Sequence, residues 1–113
     1  MKRPPRRGDI YWVALDPTLG SEIQKTRPAL VISNDSCNAC GARVVVVPIT
    51  SNVSSLYPGE ARISVRGRPA RVLGDQLRSI DKTRLRARIG SLNQADLREA
   101  ETAVLITLGF SPP

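Results

Sequence analysis

The stretch KTRPALVIS (Lys25–Ser33) decides the fold and also points beyond it. Ala29, Leu30, Val31 and Ile32 form a continuous apolar run of strong β preference, so Arg27–Ser33 reads as a buried strand. Its entrance is basic: Lys25, Thr26 and Arg27 stand directly before Pro28. Proline fixes its own φ and restricts the residue before it, so Arg27 is presented from a stiff base at the mouth of a core strand. Taken alone, such an arginine more often does no more than pair with a rim carboxylate such as Glu22.

Outward from this strand the chain alternates between β-prone segments and turn signals. DIYWVAL (Asp9–Leu15) reads as a first strand, and DPTLGSE after it, with Pro17 and Gly20, as a turn or loop. ARVVVVPIT (Ala42–Thr50) is the most β-prone segment, and its four consecutive valines imply burial on both faces or a central position. Glu60–Val65, Ala70–Gln76 and Leu85–Gly90 read as three shorter strands, which together predict a compact barrel. The closing run NQADLREAETAVLITLGF differs in period. Leu97, Ala100, Ala103 or Val104, and Leu108 recur at helical spacing, Asn93 suits an N-cap, and Asp96 and Glu99 fall near the positive end of the dipole. The expected class is therefore mainly β with a C-terminal helix packed on the barrel, and Leu105 and Ile106, off the main stripe, hint at cover by a second chain.

A length of 113 residues bounds the chain to one domain. Its net charge of +7, from 17 Lys and Arg against 10 Asp and Glu, makes a polyanion the natural partner, nucleic acid before anionic lipid. MKRPPRRGDI carries a basic run with no apolar stretch after it for a signal or a membrane span, so the expected place is the cytoplasm, with no membrane partner. Residues 1–8 read as a flexible basic tail and 9–113 as the single domain. Cys37 and Cys40 form one CxxC with no histidine and no second pair, which falls short of a structural zinc set. NDSCNACGA reads as a loop, leaving two loop thiols, with a metal bridge between chains or a disulfide as alternatives.

The absence of histidine removes the usual acid and base pair of a histidine-dependent nuclease. Asp9, Asp16, Glu22, Asp35, Glu60, Asp75 and Asp81 are scattered, without the sequence cluster that argues for two metals. RNA carries its own nucleophile, the 2′-hydroxyl, so a protein need only align the groups and stabilise charge on the phosphorane, with no cofactor. Arginine suits that task, because its planar fork holds two phosphate oxygens and its charge does not depend on pH. Two further stretches support Arg27. PITS (Pro48–Ser51) ends a strand with the hydroxyls of Thr50 and Ser51, both able to hydrogen-bond a phosphate. LGDQLRSID (Leu73–Asp81) places Asp75, Gln76 and Arg78 together after a strand, with Gly74 permitting a sharp bend. Lys25, Arg43, Arg62, Arg66 and Arg68 are expected to attract an RNA backbone, while the loops SEIQKT and SNVSSLYPG are expected to read bases. Trp12 could stack on a base, but its place in a first strand favours the core.

Together these stretches resemble the MazF/PemK family of toxin endoribonucleases. The matching pieces are Gly8–Ser33, Val44–Ser51, Gly74–Asp81 and Arg84–Leu92, in family order over nearly the whole chain apart from the basic tail. The resemblance implies a small SH3-like barrel of the CcdB/PemK type, forming a homodimer whose grooves bind single-stranded RNA. It implies sequence-selective cleavage without metal that leaves 2′,3′-cyclic phosphate and 5′-hydroxyl ends, acting as an mRNA interferase and restrained by a cognate antitoxin. Arg27 matches the catalytic arginine of the family's RP motif, Thr50 its catalytic threonine, and Glu22 the acidic residue of the GSE loop. Asp75 and Gln76 match the DQ pair near the site, with Lys25, Ser51 and Arg78 beside them as RNA-binding groups. One position departs: some members carry a catalytic arginine where this chain has Leu73. Either Arg27 serves alone, or Arg71 or Arg78 contributes, and proton transfer falls to Glu22, Asp75 or water. Two rival readings stand beside cleavage: a non-catalytic RNA-binding barrel, and a toxin of the CcdB kind that binds DNA gyrase.

Overall fold

The computed structural model describes residues 3–15 and 26–113. Among them the chain forms β1 (Asp9–Ala14), β2 (Thr26–Val31), α1 (Asp35–Cys40), β3 (Arg43–Thr50), β4 (Glu60–Val65), β5 (Arg68–Leu73), β6 (Arg78–Asp81), β7 (Leu85–Ser91) and α2 (Gln94–Leu108). The strands join in one antiparallel sheet of order β4-β5-β3-β2-β1-β7, with β6 also on β3, curled into a half-barrel. No described helix is long and apolar enough to cross a membrane.

Four consecutive valines need apolar partners on both sides, and the sheet supplies them. Val44 and Val46 join Val13, Ala29, Val31 and Ile80 in one core inside the curve. Val47 and Ile49 face the other way, into a second core with Ile10, Leu30, Val72 and the helix residues Ala100, Ala103 and Val104. The strict period of two along a strand sorts one sequence into two cores.

β3 also changes partner along one edge. β6 pairs with its first half, from Arg43↔Asp81 to Val46↔Arg78, and β5 with its end, Ile49↔Val72 and Thr50↔Arg71. β5 and β6 are two halves of one antiparallel partner, interrupted by a 3-10 turn at Gly74–Gln76. The strand expected over Ala70–Gln76 ends at Leu73, and β6 is a strand beyond those expected. Four residues, three of them polar or charged, carry no apolar alternation of their own and take their strand form from β3. The β4–β5 hairpin closes through Arg66 and Gly67, both at positive φ (50° and 77°), the signature of a two-residue type I′ turn.

Three other expectations are corrected. The CxxC segment is a short helix, α1, because its polar residues act as caps: the Asn34 side chain accepts the Cys37 N–H at 2.8 Å. The buried Asn38 exchanges hydrogen bonds with Ser33, and Cys37 and Cys40 are exposed free thiols. Asn93 does cap α2, accepting the Asp96 N–H at 2.8 Å, and Ala100, Ala103 and Val104 are buried as the stripe predicts. Leu108, however, points outward, 52% exposed, because Thr107 takes the place against Gly59. Trp12, expected in the core, is 42% exposed: α2 packs over β4 and the Gly74–Gln76 turn, at the other end of the strand order.

The basic N-terminal residues are engaged from Arg3 onward. Asp9, 2% exposed, receives Arg3 at 2.9 and 3.2 Å, the Arg6 N–H at 2.9 Å and Arg88 at 3.4 Å. Arg7 donates to the Ile32 carbonyl at 2.7 Å and its backbone N–H to Asp35 at 2.8 Å. One buried carboxylate therefore ties this segment to β7. Burial works to raise the Asp9 pKa, but the Arg3 hydrogen bond, the Arg6 N–H and the charges of Arg3 and Arg88 outweigh it and hold the value below the ordinary 3.8.

Two predictions follow from these contacts. A folded-state pKa lowered from 3.8 means the Asp9 contribution is complete above that value and fades as pH falls through the lower native one. Asp9→Asn should therefore cost about 1.5–3 kcal/mol at neutral pH, the range for hydrogen bonds to charged groups, and the gap from wild type should shrink in acid; urea titrations at pH 7 and pH 2 check both. Gly74 is required by close approach rather than by its φ, since a Cβ there would lie 2.3 Å from the Gly59 carbonyl oxygen. Gly74→Ala should lower stability by about 1–3 kcal/mol, as overpacking does, read as a lower thermal midpoint.

Candidate active site

The apolar stripes of β2, β3 and β6 that form the inner core each end in a polar residue at the same rim. On β2, Ala29 and Val31 point into the inner core, so Arg27 continues their face. On β3, Val44 and Val46 lead to Pro48 and then Thr50; on β6, Ile80 leads back to Arg78; on β5, Arg71 and Leu73 face away from Ala70 and Val72 of the other core. These ends meet. Leu15, Arg27, Pro48, Ile49, Thr50, Arg71, Leu73, Gln76 and Arg78 line a cleft of about 400 Å³.

Each side chain has a stated support. Arg27 faces Val13 of β1 across the β1–β2 pairing, and among the described residues its guanidinium has no hydrogen-bond or ion-pair partner. Thr50 Oγ1 accepts the Asn52 N–H at 3.2 Å, which leaves its own hydrogen free to donate into the cleft. Gln76 ends the 3-10 turn that the Gly74 N–H anchors to the Gly59 carbonyl at 3.0 Å. Arg78 opens β6 opposite Val46. Three guanidiniums and a hydroxyl donor converge, and no carboxylate is among the described lining residues. The arrangement suits a bound phosphodiester and the extra negative charge of a phosphorane.

Of the residues singled out from sequence, Arg27, Thr50, Gln76 and Arg78 line the cleft together. Ser51 and Asp75 are exposed neighbours of lining residues and do not line it themselves. Glu22 and Lys25, with the rest of the DPTLGSE and SEIQKT stretches up to Lys25, lie outside the described residues. Arg71, left open from sequence as a substitute for the arginine absent at Leu73, sits in the cleft; its place two residues before Leu73 on one strand face was the signal.

A larger groove, about 520 Å³, lies on the β1–β7 side, lined by Arg3, Tyr11, Lys82, Leu85, Arg86 and Arg88 among others. Its arginines are already engaged: Arg3 and Arg88 by Asp9, and Arg86 by the Thr83 carbonyl. Burial, then the Asp9 charge, raises the Tyr11 phenol above its ordinary value and keeps it protonated. The smaller cleft is the candidate site, because Arg27, Thr50, Gln76 and Arg78 converge there and, among the described residues, no carboxylate lines it and only Arg71 has one, Glu60, beside it.

Known proteins share this fold. Endoribonuclease MazF9 of Mycobacterium tuberculosis is 38% identical over 112 residues, spanning 91% of this chain and 95% of that protein. The crystal structure of MazF from Deinococcus radiodurans superposes with a TM-score of 0.80 at 28% identity, covering 96% of this chain and all of that one. An endoribonuclease from a mycobacterial species, solved in complex with its cognate antitoxin, gives 0.79 at 25% identity over 96% and 99% of the two chains. The family model of PemK-like, MazF-like toxins matches residues 6–108, from the basic segment to the end of α2. The chain thus belongs to the PemK-like, MazF-like toxins of type II toxin-antitoxin systems.

Proposed function

We propose that this protein is an endoribonuclease that cleaves single-stranded RNA at a preferred short sequence. The observation that carries this reading is the convergence of Arg27, Thr50, Gln76 and Arg78, from separate elements, on one cleft. The 2′-oxygen forms a bond to phosphorus as the bond to the 5′-oxygen breaks. One proton leaves the 2′-hydroxyl and one reaches the departing oxygen, giving a 2′,3′-cyclic phosphate and a 5′-hydroxyl. Arg27 stabilises the non-bridging oxygens electrostatically, since a guanidinium with a pKa above about 12 is a poor proton shuttle. Thr50 donates its free hydroxyl hydrogen to the same phosphate. Gln76, Arg78, Ser51, Asp75 and Lys25 bind the strand, and Glu22 or water carries a proton.

The 51–59 loop supplies base recognition. The Asn52 side chain accepts the Ser54 N–H and hydroxyl, Arg62 holds the Val53 carbonyl, and Leu56 and Tyr57 stay 51% and 63% exposed at its tip. A fixed loop with an exposed aromatic ring suits unstacked bases. The functional unit is the domain 9–113, acting as a cytoplasmic homodimer that stops translation and growth, with a cognate antitoxin as its restraint. Support comes from the family, from relatives solved with antitoxins, and from the outward Ile106 and Leu108 on α2.

The test is incubation of a long, weakly structured RNA with the protein in excess EDTA, with the new 5′ ends mapped. Cuts at a recurring motif with 5′-hydroxyl ends are expected, and Arg27→Ala and Thr50→Ala should each slow them by about 10²–10³-fold, as for loss of one oxyanion donor. Both variants should keep the dimer. Intact RNA with folded wild-type protein would move the function to binding without cleavage. RNA affinity should also fall as salt rises, because each phosphate contact releases counterions, and salt-independent binding would contradict an RNA partner.

A further inference from the structure

Arg71 has no part in the chemistry above, yet it stands directly opposite Thr50 in the β3–β5 pairing and lines the same cleft. Its side chain is 12% exposed. Nη1 donates to the Ser55 carbonyl, and lies 3.4 Å from both the Ser55 hydroxyl and Glu60 Oε1. That carboxylate oxygen also accepts the Tyr57 N–H at 3.0 Å. The pair is long for a charge-assisted hydrogen bond, where about 2.7–2.9 Å is usual. Nε meanwhile is buried with no partner, a condition native proteins rarely leave in place without a use. One nitrogen of the fork carries the contacts with Ser55 and Glu60, and its neighbour has none.

The surroundings state what the fork is suited to receive. Arg27 and Arg78 line the same cleft, so an anion entering it meets three guanidiniums, of which Arg71 is held by a carboxylate. We propose that Arg71 is a substrate-binding residue, exchanging the Glu60 carboxylate for a phosphate of the bound RNA strand beside the scissile one. Its bond to the Ser55 carbonyl then carries occupancy of the cleft into the 51–59 loop, so that phosphate binding and base reading are coupled through one side chain. This rests on the reading of the cleft as an RNA site.

The test uses the full chain and an RNA oligonucleotide bearing a single 2′-deoxy nucleotide at the cleavage position mapped for the wild type. Dissociation constants are measured across a range of salt for wild type, Arg71→Gln and Glu60→Gln. Loss of one phosphate contact on a single strand should flatten the log–log salt slope of Arg71→Gln by about 0.7. Glu60→Gln keeps an oxygen for the Tyr57 N–H but removes the competing charge, and should tighten binding several-fold. An unchanged slope in Arg71→Gln, or weaker binding in Glu60→Gln, would overturn the proposal and make Arg71 a brace for the loop. Should Arg71→Gln fail to fold, the direction of the Glu60→Gln effect decides alone. A wild type that neither cuts nor binds RNA would overturn the reading of the cleft itself, and this proposal with it.

Discussion

Everything in this structure depends on β3 being buried on both faces while its partner changes partway along one edge. A strand whose alternate residues serve two cores cannot slip by one residue without exchanging their contents, so its register is strongly fixed. Val46 and Val47 are both fully buried, on opposite faces. The register places Thr50 at the rim, level with Arg71 across the sheet, with Arg27 at the start of the neighbouring β2. The hydrophobic pattern of the centre thereby sets the geometry of the polar groups at the end.

The break between β5 and β6 gives that rim its depth. A single continuous partner for β3 would carry ladder bonds past Val47 and Pro48. Instead the chain lifts into the Gly74–Gln76 turn and returns, and the gap is lined by Gln76 and Arg78. The turn is held from behind by α2 and by the Gly59 carbonyl, where there is no room for a Cβ. The apparently separate requirements for a glycine, a helix and a cleft are one packing problem.

Much of this was legible in residue order because strands obey a period of two. The valine run, the Glu60–Val65 strand and the Asn93 cap were each readable, since one local rule decides each. What was not legible depends on partners distant in sequence. β6 is a strand because β3 lies beside it, α1 is a helix because Asn34 and the Ser33–Asn38 bracket close it, and Leu108 turns outward because Gly59 receives Thr107. The cleft was half legible. The RP, TS and DQ stretches could be singled out, but that Asp75 stands aside while Arg71 enters required the sense in which β5 faces the sheet.

The same distinction governs the basic composition. A net charge of +7 invites the view that each arginine is a point of contact for a polyanion. Arg43 instead donates to the Ser79 carbonyl, Arg62 to that of Val53, Arg66 to that of Ile89 and Arg7 to that of Ile32. An arginine bonded to a carbonyl keeps its charge and still adds to the field that draws RNA in, but part of its fork is occupied. Charge count therefore measures attraction, while the number of phosphates held depends on which forks remain open. In the candidate cleft Arg27 is unoccupied by described residues and Arg71 is only partly engaged, so open forks are gathered there on one concave site. Arginine thus serves as a fastener at Arg7, Arg43, Arg62 and Arg66, and the cleft is where three others are gathered at one rim. The difference between the two uses is set by the sheet register and not by the residue type.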